Sequence, residues 1–84
     1  MLDPEGIRAT ILAALPGSTV EVKDTTGTGD HFEAVVVSPA FAGKSMLEQQ
    51  RAVYAPLDPW LKTGELHALA LKTYSPEQWA KVNR

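Results

Sequence analysis

The sequence contains no cysteine, so the chain can form no disulfide, offer no thiolate to a metal and use no cysteine nucleophile. Any metal site must draw on imidazole, carboxylate or the ligands of a partner. An excess of positive charge is missing too. Lys and Arg number 8 against 10 Asp and Glu, for a net charge of −2, which argues against binding dominated by phosphate contacts. Long hydrophobic runs are absent: the longest are a handful of residues, far short of the roughly 20 that span a bilayer. The acidic start MLDPEG lacks the charged-then-apolar order of a signal peptide. These absences predict a cytoplasmic protein with no membrane association. Gly27 and Gly29 sit in DTTGTGD without the third glycine or the Lys-Ser/Thr ending of a phosphate loop, so that stretch reads as a hairpin connection.

What is present fits one small domain over residues 1–84, with no internal repeat and no linker. Asp3, Pro4 and Glu5 supply a cap, a first position and a dipole-compatible charge for a helix. Ile7, Ile11, Leu12 and Leu15 recur along it at helical spacing, and Pro16-Gly17 ends it. Ser18 to Lys23 alternates as a strand covered on one side, with Val20 and Val22 inward. Asp24 to Asp30 is turn chemistry throughout, and a mobile loop is expected there. His31 to Ser38 is a second strand, stopped by Pro39, and a corner follows at Ala40 to Gly43. Ser45 and Glu48 form a capping-box pattern that opens a helix. This helix is expected to turn Met46, Leu47, Val53, Tyr54 and Leu57 inward and to stop at Pro56. A short turn capped by Asp58 then ends at Gly64, and a third strand runs within Gly64 to Tyr74. Ser75, Pro76 and Gln78 start a last helix, docked by Trp79 and Val82. The order is αββααβα, an α+β fold with a three-stranded mixed sheet and helices on one face.

A strand, a helical connection and another strand in so small a domain normally form a right-handed crossover between parallel strands. Both histidines of the chain, His31 and His67, open such strands. Parallel neighbours begin on the same edge about 4.8 Å apart, so the two imidazoles are expected to meet there. His31 is in phase with Val35 and Val37, and His67 with Leu69 and Leu71. That parity predicts that both rings lean toward the side packed on the helices. Two imidazoles make a plausible metal site that a partner completes, since structural sites take four ligands. The bland alternative is a hydrogen-bonded strand histidine and a solvated loop histidine. Acid–base pairs such as Asp30-His31 or Glu65 with His67 lack a nucleophile or pocket, so no enzyme is expected.

Four stretches are similar to the BolA-like family, which has a class II K-homology-like fold. They are Asp24 to Thr26, VVVSPAFAGKS from Val35 to Ser45, the Val53-Tyr54 pair, and HALALKTYSPEQW from His67 to Trp79. The resemblance implies a non-enzymatic partner of a monothiol glutaredoxin, in iron–sulfur cluster trafficking or iron homeostasis. A two-iron, two-sulfur (2Fe–2S) cluster is then shared in a heterodimer, with none expected in the isolated chain. In the family the histidine opening the last strand is a cluster ligand, which matches His67. A second His or Cys comes from the loop between the first two strands, and His31 is the candidate. The glutaredoxin cysteine and a glutathione thiol would complete the set. The family is also linked to transcriptional control through DNA binding by the helix after the Phe-x-Gly corner. Many members carry Arg-His-Arg there, where this chain has Gln49-Gln50-Arg51. The GXXG loop with which K-homology proteins clamp nucleotides is also missing.

Overall fold

The elements lie in the expected order in a computed structural model, which describes residues 2–27 and 31–82. They are α1 (Pro4–Ala14), β1 (Thr19–Asp24), β2 (His31–Val37), a 3-10 turn (Pro39–Phe41), α2 (Met46–Thr63), β3 (Ala68–Tyr74) and α3 (Pro76–Val82). Thr28, Gly29 and Asp30, and with them part of the expected mobile loop, lie outside the described residues.

Helix α1 begins where its cap chemistry places it, with Asp3 Oδ1 accepting from Glu5 N at 2.9 Å. Its apolar stripe buries Ile7 and Ile11 completely. The sheet order is β1-β2-β3, with β1 antiparallel and β3 parallel to β2. Its register sets Phe32, Ala34 and Val36 opposite Leu69, Leu71 and Thr73. Those β2 residues are buried, and with Val20 they face Ile7, Ile11, Val53 and Leu57 in a core between sheet and helices. The other phase of β2, His31, Glu33, Val35 and Val37, is half-buried. Trp79 of α3 lies beside Val35 and Val37 on that side, its ring 5.3 Å from that of Tyr74.

Several sequence expectations fail for physical reasons. Pro56 does not stop α2, which runs on through Pro56 and Pro59 to a left-handed Gly64. A helix-interior proline costs about 3 kcal/mol. Beyond it, however, the continued helix buries Leu57 fully and packs Trp60 and Leu61 on the core. Each such side chain contributes about 1.5–3 kcal/mol, so packing outweighs the break. The short helical segment between β2 and β3 therefore comes before the long helix, at the corner. Met46 and Leu47 do not turn inward but are 53% and 58% exposed, and Val82 is 61% exposed. The inward position of that first turn of α2 goes to Gln49, which is fully buried. Its Nε2 donates among Phe41 O, Lys44 O and Gln78 Oε1, tying the corner and α3 to α2.

Both capping boxes form. Glu48 N donates to Ser45 Oγ at 3.2 Å while Ser45 N donates to Glu48 Oε1 at 3.0 Å. Gln78 and Ser75 repeat the exchange at the start of α3. The Ser45 backbone N–H, then its hydroxyl, hold the Glu48 carboxyl below its ordinary pKa. A depressed carboxyl contributes stability above its unfolded pKa and loses it as pH falls through the folded value. Glu48→Gln, which removes the charged acceptor of the Ser45 N–H, is expected to destabilise the fold at neutral pH. In urea denaturation, that difference should shrink as pH falls below the normal glutamate range. A constant difference across that range would show that the reciprocal pair does not operate.

Candidate functional site

The start of β3 is fixed from both sides of His67. Gly64, at φ +82°, turns the chain out of α2. Leu66 is then buried, and its N–H donates to Trp60 O at 3.1 Å. His67 follows with its side chain exposed, and Ala68 is the first residue of the ladder. On the neighbouring strand, His31 is held by its backbone: Thr25 N and Thr25 Oγ1 both donate to His31 O, at 3.0 and 3.2 Å. Asp24 Oδ1 accepts from Thr26 N and Gly27 N, closing the turn from which Thr25 reaches across. Phe32, the next residue, is buried. Each histidine is thus a neighbour of a core anchor.

The two imidazoles meet, with ring centroids 5.1 Å apart and planes inclined by 35°. The expected proximity holds, while the expected parity does not. His31 pairs with Ala68, so its phase continues into Glu33, Val35 and Val37, on the side away from α1 and α2. His67 has the phase of Leu69 and Leu71, which pack on the core. The rings come together because His67 lies one residue before the ladder, where strand alternation no longer dictates its direction.

The donor set can be tested against a metal. An imidazole nitrogen about 2.0–2.1 Å from a metal places its ring centroid roughly 3.2 Å away, so two imidazoles at a tetrahedral angle have centroids about 5 Å apart. The observed spacing fits that requirement. Among the described residues no group of three or more His, Asp or Glu side chains could hold a metal. The described residues therefore offer a pair of nitrogens, and a four-coordinate centre built on that pair takes two further ligands. Glu65, considered as an acid–base mate for His67, accepts instead from the Thr63 hydroxyl at 3.2 Å. Asp30 lies outside the described residues. Leu66 and Thr25 position the pair, and their signals in the sequence are a leucine immediately before His67 and a threonine in the turn.

A family model described as "BolA-like protein" matches residues 12–78. An uncharacterized protein of Haemophilus influenzae is 47% identical over 55 residues, covering 66% of this chain and 65% of that protein. The acid stress protein IbaG of Escherichia coli is 33% identical over 75 residues, 89% of this chain and 86% of IbaG. The crystal structure of a bol-like protein from Babesia bovis superposes with a TM-score of 0.84 at 27% identity, covering 100% of this chain and 96% of that one.

Because His67 is exposed and precedes the ladder, His67→Ala should change unfolding free energy by no more than about 0.5 kcal/mol. Phe32→Ala, beside His31, should cost about 3–5 kcal/mol. Chemical denaturation of the two variants checks this, and a large loss for His67→Ala would mean that the imidazole serves the fold.

Proposed function

The chain belongs to the BolA-like family, and from that premise we propose that it is a non-enzymatic partner of a monothiol glutaredoxin, contributing His67 and His31 to a shared 2Fe–2S cluster. Its place is then in iron–sulfur cluster trafficking or iron homeostasis. The observation that carries the reading is the pair of imidazoles 5.1 Å apart at one edge of the sheet. Paired histidines on one iron, with thiolates on the other, are an established ligand arrangement for such clusters. The absence of cysteine fits a division of labour in which the glutaredoxin cysteine and a glutathione thiol supply the sulfur ligands. The cluster is the cargo that the two proteins hold together or hand on.

This chain's own residues prepare the edge. Leu66 and Gly64 fix the backbone of His67, while the two Thr25 donors fix that of His31. Less ordering therefore remains to be done when a partner arrives. A nucleic-acid-binding regulator using α2 is supported less well. Gln49, in the position where many relatives carry a basic residue, is fully buried with its amide turned to the corner and α3, out of reach of a phosphate.

The purified chain, mixed with a monothiol glutaredoxin, glutathione, iron and sulfide, should give a heterodimer with a visible spectrum that shifts when His67 is replaced by Ala. His31→Ala should shift it independently. A spectrum indifferent to His67 would remove that residue from the ligand set, and failure to form any complex would end the partner reading.

A further inference from the structure

Strand alternation gives the sheet a second face, turned away from α1 and α2, which carries Glu21 and Lys23 of β1, Glu33, Val35 and Val37 of β2, and Lys72 and Tyr74 of β3. At one end of this face, between Trp79 of α3 and strand β1, lies a pocket of about 160 Å³ lined by Thr19, Glu21, Val35, Val37 and Trp79. The register sets its arrangement. On β1, Val35 pairs with Glu21 and Val37 with Thr19; on β3, the same two valines pair with Lys72 and Tyr74. The valines are therefore the floor, and Glu21 and Thr19 form one wall. Trp79, whose ring lies 5.3 Å from that of Tyr74, is the opposite wall.

Both walls are built before any ligand arrives. Trp79 is held by the start of α3, where its N–H donates to Ser75 O at 2.9 Å, and its neighbour Gln78 accepts from the amide of buried Gln49. Glu21 is fixed in the β1–β2 ladder, and its carboxylate is uncompensated, for it is in no ion pair among the described residues. The cations of this face are Lys23, two residues along β1, and Lys72, across Val35 on β3. Neither lines the pocket.

We propose that this pocket takes an arginine side chain of a partner protein. The lining selects that chemistry. The two valines receive the methylene stem, the indole attracts the cation and offers the flat guanidinium a surface to stack on, and Glu21 accepts its forked N–H groups. A phosphate or nucleic-acid backbone meets a carboxylate of its own sign. An uncharged apolar side chain covers Glu21 without giving it a partner. A lysine ammonium satisfies Glu21 but does not stack as a plane, so it binds more weakly. The proposal needs neither histidine and is independent of the cluster reading.

The test is a titration of the full nitrogen-15-labelled chain with N-acetyl-arginine amide at constant ionic strength, followed by NMR. The expected result is a saturable shift of the Trp79 indole N–H together with the Glu21 and Val35 amides. N-acetyl-lysine amide should require a higher concentration, and N-acetyl-norleucine amide should give no saturable shift. Glu21→Gln should weaken arginine binding by about fivefold; the position is exposed, so the fold is retained and the rest of the spectrum stays unchanged. An unmoved Trp79 indole at tens of millimolar probe would overturn the proposal. So would equal responses to the arginine and norleucine probes, or undiminished binding by Glu21→Gln.

Discussion

The parallel pairing of β2 with β3 is the constraint on which the rest of the structure depends. It requires the chain to leave β2 at its far end, cross the sheet through α2 and return, so that both strands start on one edge. That return buries Val53 and Leu57 against Phe32 and Val36, and it brings His67 back beside His31. The register, with His31 opposite Ala68, leaves His67 just outside the ladder and free to turn toward its neighbour. A slip of β3 by one residue, pairing His31 with His67, would put His67 into strand alternation and turn Leu69 and Leu71 away from the core in exchange for Ala70 and Lys72. The packing that stabilises the fold and the spacing of the imidazoles are therefore set by the same register.

Much of this was legible in the sequence, because capping residues, strand alternation and crossover topology act locally or follow from chain length. Asp3, Ser45 and Ser75 mark the three helix starts, and all three elements form there. What could not be read depended on tertiary packing. Pro56 is a strong local stop signal, yet Leu57 and Trp60 lie beyond it and their burial keeps α2 continuous. The inward position of Gln49 went unread because an amide becomes a good core residue only when acceptors such as Lys44 O and Gln78 Oε1 converge on it. At the site, the histidines and their proximity could be inferred from topology. The parity of His31 could not, because Val35 and Val37 look as apolar as Phe32 and Val36, and burial alone decides between the two phases.

The candidate site is an incomplete ligand set. Two nitrogens at suitable spacing cannot close a four-coordinate centre, and the chain has no thiol to add. Holding those nitrogens at an exposed edge leaves the remaining positions open to a partner, while Leu66 and Phe32 anchor the backbones behind them.

The most direct test of the central claim is to count the nitrogens that this chain gives to the cluster. The heterodimer would be assembled from nitrogen-15-histidine-labelled chain and unlabelled glutaredoxin, and the reduced cluster examined by electron–nuclear double resonance. Two strongly coupled nitrogen-15 nuclei are expected, one lost in His67→Ala and the other in His31→Ala. A cluster with no coupled nitrogen from this chain would contradict it.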